Sequence, residues 1–359
     1  MKEFEEYIRH GEPSQAEKGY VWQTAVGLQA VDALKPSDYL IQTACHHIEG
    51  HISMSEAKTL IDQYYEAKQG RDNVDARVEE ADKVSARIAE ILAEPTFSFS
   101  PVEYIAIHRR LFHGIYQFAG QIRDYNITKK EWVLQGDTVL YASAGSIRET
   151  LDYDFEQEKN FSYKGLNVNE SIAHIAKFIS GIWQIHAFGE GNTRTTAVFA
   201  IKYLRTFGFN FNNDAFASHS WYFRNALVRA NYNNINKGVY ATIEFLETFF
   251  RKLILDEPTE LQNRNMLIGE EVLSASQCEI ETDLVTPKCK SCTLNCTLEE
   301  LAVLTFLKEN PKATQKTIAH HIGKSERTVK TITVTLSVKG LLERRNGKRN
   351  GVWVIKSVE

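Results

Sequence analysis

Apolar residues recur at three- and four-residue spacing through most of the chain, the period of helices with one buried face. Ile172, Ile175, Ile179 and Trp183 mark one stripe, with Asn169 placed to cap its start. Val198, Ile201, Tyr203 and Leu204 mark a second helix over Thr195–Phe207, and Gly208 stands at its stop. Ala81, Val84, Ile88 and Leu92 predict a third between 70 and 95, beginning near Asn73 or Asp75 and halted by Pro95. Ser100-Pro101 opens a fourth. Tyr39, Leu40, Thr43 and Ala44 line a helix that starts at Ser37 and stops at Gly50. Ser53-Met54-Ser55-Glu56 is a capping box ahead of Ala57, Leu60, Ile61 and Tyr64. Residues 37–69 thus read as a helical hairpin with Glu49 near its tip. Residues 144–165 read as a charged helix and loop, and 220–228 and 240–255 as two more helices.

The period changes twice. Tyr125-Asn126-Ile127-Thr128 and Glu131-Trp132-Val133-Leu134 are β-prone and predict a hairpin turning at Lys129-Lys130. Residues 256–296 lose periodicity around Pro258 and Pro287 and read as a linker. Beyond it, Thr297-Leu298-Glu299-Glu300 is a second capping box. It opens three short helices, the third capped by Ser325, followed by strands at Leu341–Arg345 and Val352–Lys356. Three helices and a basic hairpin resemble a winged helix-turn-helix. The expected division is 1–70 N-terminal helical segment, 71–255 core, 256–296 linker and 297–359 winged domain.

The densest chemistry is His186-Ala187-Phe188-Gly189-Glu190-Gly191-Asn192-Thr193-Arg194, between two predicted helices and at the N-terminus of the second. Backbone N–H groups and the helix dipole there favour an anion, above all a phosphate. Gly191 permits close backbone approach, and Asn192, Thr193 and Arg194 supply donors. Glu190 suits a divalent cation held against phosphate oxygens. His186 is left as proton acceptor, and Phe188 as the loop's anchor in the core.

This stretch resembles the signature of Fic-domain proteins, H-x-F-x-[DE]-G-N-[GK]-R. The similarity extends to Ile107–Arg123, which resembles the helix and turn ahead of that family's active-site flap, and as a pattern spans Tyr20 to Phe250. The resemblance implies a mainly α fold: a Fic-type helical bundle with a β-hairpin flap. It implies a protein adenylyltransferase that uses Mg²⁺ and moves AMP from ATP to a Ser, Thr or Tyr hydroxyl of a target protein. The flap, with Ile127, Thr128, Trp132 and Val133, is expected to hold that target by strand addition; a plain connecting hairpin is the alternative. Glu49-Gly50 is similar to the family's inhibitory motif, with Cys45 where Ser or Thr is usual. Ala197 replaces the second motif arginine that normally pairs with such a glutamate, so Asn192, Arg194 or backbone donors are its expected partners. Thr193 replaces a glycine. These departures leave UTP or a CDP-linked donor open. Asn231-Tyr232-Asn233-Asn234 suits the adenine side, while His108 and His113 read as packing or surface residues.

Charge refines the picture. The chain carries 42 Lys/Arg and 46 Asp/Glu, net −4. From Leu301 onward twelve Lys/Arg face four Asp/Glu, a balance of +8 that leaves −12 on the rest. Lys324, Arg327 and Lys330 on the third helix and Arg344, Arg345, Lys348 and Arg349 on the wing suit DNA phosphates; a protein-docking or dimerising domain is the alternative. A DNA-binding regulator with a Fic-like sensor body is therefore the rival function. Cys278, Cys289, Cys292 and Cys296 fall in the linker at spacing suited to zinc or to none. No apolar run is long enough to span a membrane, and the acidic start lacks a signal-peptide core. Cytoplasmic residence is the expectation, with no membrane partner and homo-oligomerisation open.

Overall fold

The structure, a computed structural model, describes residues 4–68, 76–209, 215–269, 295–346 and 351–356. Among them the chain forms fourteen α-helices and one two-stranded antiparallel sheet. The helices are α1 (Glu5–His10), α2 (Pro13–Gly27), α3 (Asp38–Ile48), α4 (Met54–Lys68), α5 (Ala76–Ala93), α6 (Pro101–Phe112) and α7 (Ile147–Asn160). They continue as α8 (Val168–Ile185), α9 (Asn192–Arg205), α10 (Ala215–Ala230), α11 (Glu244–Leu255), α12 (Leu298–Glu309), α13 (Gln315–His321) and α14 (Glu326–Val338). Strands β1 (Leu342–Arg345) and β2 (Val352–Ile355) close the chain. Among the described residues no helix is long and apolar enough to cross a membrane.

Local signals set most helix starts. Ser37 accepts from Leu40 N–H, Ser100 from Glu103 N–H and Ser325 from Thr328 N–H. The boxes at Ser53/Glu56 and Thr297/Glu300 are both closed. One start differs from expectation: α8 is capped by Asn167, whose amide oxygen takes Glu170 N–H at 3.1 Å while Glu170 returns to Asn167 N–H at 2.8 Å. Asn169 lies inside the helix.

The predicted hairpin at 125–134 is not formed. Residues 126–130 form no strand or ladder, and Trp132–Leu134 is a 3₁₀ turn that buries Val133 and Leu134. The reversal comes at Gln135-Gly136, both left-handed, where Glu131 N–H meets Asp137 C=O at 2.9 Å. Two apolar side chains thus pull the predicted second strand into the core.

Contacts divide the chain into two units: Met1–Asn160, Ala176–Lys202 and Phe211–Ile268 in one, and Phe161–Ile175, Tyr203–Asn210 and Gly269–Glu359 in the other. In the first, α2 packs on α5 and α10, α10 on α11, and the α3/α4 hairpin on α2 and α5. Asn192–Lys202 of α9 are buried throughout, so polar side chains there need partners. Thr196 meets Tyr104 OH at 2.9 Å, and the Lys202 ammonium donates to Ile91 and Glu94 carbonyls at the end of α5. In the second unit β1 and β2 pair with Arg344 opposite Trp353, and the Arg344 guanidinium lies 4.8 Å over that ring. Lys348, Arg349, Cys278, Cys289 and Cys292 lie outside the described residues. So do Asn73, Asp75 and Gln69. Cys296 is buried.

Asp82 ties three helices together. It is fully buried, takes Ser37 N–H at 2.8 Å and the Ser37 hydroxyl, and accepts from Tyr65 OH at 2.6 Å. Burial raises its pKa, and the Ser37 and Tyr65 bonds oppose that rise. Asp82→Ala strands buried donors from the α3 cap and α4, and urea unfolding of the full chain should show a loss of ~3 kcal/mol. An unchanged midpoint would mean that these bonds contribute nothing to the hairpin's attachment.

Candidate active site

The loop between α8 and α9 doubles back on itself, and its inward-facing carbonyls must find donors. His186 takes the left-handed conformation at φ 50°, with its N–H on Trp183 C=O at 3.0 Å. Arg123 supplies most of the remaining donors. Its Nε reaches His186 C=O at 2.7 Å, Nη1 reaches Tyr125 C=O at 2.6 Å, and Nη2 reaches Ala142 and Ile185 C=O at 2.5 and 3.2 Å. Its own N–H goes to Ala187 C=O at 2.9 Å. One guanidinium therefore joins the loop to the backbone at Tyr125 and at Ala142.

The other half of the loop hangs from His108. Gly120 N–H donates to its Nδ1 at 2.8 Å, so Nε2 carries the proton and donates to Glu190 C=O at 3.0 Å. The imidazole stacks on Phe188, centroids 3.7 Å apart, and burial drives its pKa down to about 4. His108 is thus more than a packing residue: it holds the carbonyl of Glu190 so that the carboxylate faces out. Phe188 is fully buried, as the sequence predicts. Gly191, at φ 78°, has no room for a Cβ, which would sit 2.3 Å from the Phe112 ring.

The motif's side chains divide sharply. The Asn192 amide is spent on Phe188, taking its N–H at 3.0 Å and donating to its C=O at 2.7 Å. Thr193 accepts from Trp183 Nε1 at 3.0 Å. Arg194 is 1% exposed and caged: Nε faces Asp32 at 2.9 Å, Nη2 faces Glu80 at 2.5 Å, and Nη1 donates to Gln29 at 3.1 Å. Phe112 lies 4.8 Å beneath it. The donors expected from Asn192, Thr193 and Arg194 side chains are therefore turned inward.

Glu190 is the outward group, its carboxylate 56% exposed and 2.7 Å from Lys129 Nζ. His186 is the inward one, 4% exposed, with both ring nitrogens lacking a hydrogen-bond partner. Tyr141 lies against it at a tilt, ring centroids 4.2 Å apart, and Trp183 meets it edge-on. Burial, then the charges of Lys129, Arg224 and Arg123, hold its pKa well below 6.5. The imidazole is neutral at ordinary pH, with nitrogen lone-pair capacity unused.

Arg224 links the two sides. It pairs with Asp32 at 3.3 Å and with buried Glu131 at 3.0 Å, and Glu131 in turn accepts from Tyr141 OH at 3.2 Å. Arg123, Tyr141, Asp32, Glu80 and Arg224 had no role in the sequence reading. Only Arg123 carried a signal, as the end of the Ile107–Arg123 pattern. Of the residues expected in a flap, Trp132 and Thr128 are exposed, Ile127 is half-buried and Val133 is buried.

Glu49 does not meet its expected partners. At the end of α3 its carboxylate accepts from Tyr7 OH and lies 3.3 Å from His51 Nδ1, while Arg194 is held by Asp32 and Glu80. The Asn231–Asn234 turn is likewise committed. Asn231 donates to Ser180 Oγ at 2.8 Å, and Tyr232 OH donates to Asp137 of the flap at 2.6 Å. Tyr232, with Thr138 N–H and Lys237, lowers the Asp137 pKa to about 2.

Three histidines of this unit resist protonation: His186 well below 6.5, and His108 and His47 at about 4. In the unfolded chain they titrate near 6.5, so below that value the unfolded state binds protons that the folded state refuses. Their stability contribution is complete above 6.5 and is lost as pH falls toward 4. The urea midpoint should fall steadily across that window, and a flat midpoint would mean the imidazoles are solvated.

A family model described as the Fic/DOC family matches residues 98–204, the span from the cap of α6 to α9 that contains Arg123, His186 and Glu190. The chain therefore carries a Fic domain over residues 98–204, of a kind that is typically a transferase.

Proposed function

We propose that the chain is a protein adenylyltransferase. The observation that carries the reading is a buried, neutral His186 with unpartnered ring nitrogens, beside the N-terminus of α9 and four residues before an outward carboxylate. ATP lies with its phosphates on the first-turn N–H groups of α9. A Ser, Thr or Tyr hydroxyl of the target attacks the α-phosphorus. The bond to the β-phosphate oxygen breaks, pyrophosphate departs, and the hydroxyl proton passes to the His186 imidazole. The position of His186 in the left-handed turn, fixed by Arg123, sets the direction from which that proton is taken. Glu49 has no part in the step.

Mg²⁺ fits Glu190 as a single protein carboxylate facing outward, with nucleotide phosphates and water supplying the other ligands. When bound, the ion would offset phosphate charge. Thr193, anchored by Trp183, and Ala197 leave UTP or a CDP-linked donor as the neighbouring assignments.

His186→Ala should keep ATP affinity within about threefold, because the imidazole removes a proton and grips no phosphate, and should lower transfer by 10²-fold or more, roughly the loss of a general base. Rates are read as label moving from ATP, GTP, CTP or UTP to protein. Wild-type transfer in the variant would remove the base assignment, and transfer from another nucleotide alone would change the donor.

A second activity is proposed for the C-terminal unit: duplex DNA binding through α14. The supporting observation is that Arg327 and Lys330 are exposed one turn apart on this helix, with Thr331 beside them. Other cations there are already paired: Lys324 with Glu299, Lys339 with Glu300, and Arg345 and Lys356 with Glu343. The effective charge is therefore smaller than the +8 balance suggests. Replacing both Arg327 and Lys330 by Ala in the full chain should cut DNA affinity about tenfold and flatten its salt dependence by about two phosphate contacts. Unaltered DNA affinity, or none in the wild type at low salt, would leave exposed Val334 and Val338 as a protein-docking face.

A further inference from the structure

The phosphate position has lost the cations expected of it. Ala197 supplies none, and Arg194 is enclosed by Asp32, Glu80, Gln29 and Tyr116. Two other arginines whose charge reaches His186 are also committed. Arg123 spends its guanidinium on four backbone carbonyls, and Arg224 is divided between Asp32, Glu131 and Val31 C=O. Removing any of these from its partners would strand buried carboxylates or carbonyls.

Lys129 is different. It lies in the irregular segment 126–130, its backbone N–H held by Thr138 Oγ1 at 3.2 Å. Its ammonium reaches the solvent-facing carboxylate of Glu190 at 2.7 Å, and that pair is the weakest tether around the site because one partner is mostly in water. An ammonium has three donors, so a bond to Glu190 leaves two for another anion. A point charge on a flexible stem can change partners without moving backbone. Among the cations whose charge reaches His186, it alone is held by an exposed group.

We propose that Lys129 is a phosphate ligand of this site, stored on Glu190 and turned onto the phosphate chain when a nucleotide binds. Its reach would replace the charge missing at Ala197, and from the flap rather than from α9. The proposal rests on the adenylyl-transfer reading for its ligand, a nucleoside triphosphate, but its chemistry is that of any polyphosphate beside Glu190. The flap then contributes to the nucleotide as well as to the target, so binding of one is felt by the other.

The test is calorimetric titration of the full-length protein with ATP and, separately, with inorganic tripolyphosphate. Wild type is compared with Lys129→Met, Lys129→Arg and Lys130→Met. Lys129→Met should weaken both ligands about tenfold, the loss of one charge-assisted contact. Lys129→Arg should recover most of that loss, and Lys130→Met, an equal change in net charge on the neighbouring exposed residue, should stay within about twofold of wild type. Unaltered binding by Lys129→Met overturns the proposal, and so does an equal loss in Lys130→Met, which would reduce the effect to general field. Tripolyphosphate binding that depends on Lys129, with ATP no tighter, would uphold the proposal and sink the adenylyl reading. ATP binding indifferent to Lys129 would do the reverse, and binding of neither ligand would remove both.

Discussion

The site depends on satisfying the carbonyls of a loop that turns back between two buried helices. A tight reversal places C=O groups where water cannot reach, and each unsatisfied one would cost about 1–3 kcal/mol. Arg123 takes those of Ile185 and His186, its backbone N–H takes that of Ala187, Asn192 takes that of Phe188, and His108 takes that of Glu190. With the backbone so fixed, His186 is held in a left-handed conformation that costs a non-glycine residue about 1–2 kcal/mol. The same donors decide which motif side chains remain for chemistry: Glu190 outward and His186 at the ring face of Tyr141.

A second constraint is charge neutrality in the core beside that loop. Two arginines, fully buried Arg194 and partly buried Arg224, share Asp32, one adding Glu80 and the other Glu131. This chain of ions reaches Tyr141 and hence the ring of His186. For both arginines burial alone would lower the pKa, and the surrounding carboxylates reverse it. The motif arginine therefore works as a strut between α9, α5 and the turn after α2. Such a network is costly to open at one member, because the remaining charges stay buried. It keeps positive potential near His186, favouring its neutral form.

The helices were legible wherever the signal was local. Caps at Ser37, Ser53, Ser100, Thr297 and Ser325 form with residues three positions away, so sequence displays both partners. The loop motif was legible for the same reason. What sequence hid lies across long separations. Arg194 meets Gln29, and Arg123 meets the loop from the far side of the flap, contacts that no short pattern announces. Asn169 looked like a cap because Asn167 offered the same chemistry two residues earlier. The hairpin was misplaced because Val133 and Leu134 carry β propensity but serve burial. Lys129 read as a turn residue, yet its ammonium is drawn to Glu190. Glu49 carried the right motif, but Tyr7 of α1 and His51 of the α3–α4 turn compete for it.

Adenylyl transfer and phosphoryl transfer differ in which phosphorus atom becomes attached to protein. A base that deprotonates a hydroxyl beside the N-terminus of α9 could in principle direct it at either end of a triphosphate; the proposed arrangement puts the α-phosphorus in line. Incubating the full chain with ATP labelled at the α-phosphorus, and in parallel with ATP labelled at the γ-phosphorus, decides between them. Label from the α position should become acid-stable on protein while the γ label leaves as pyrophosphate. Retention of the γ label, or of neither, would contradict adenylyl transfer.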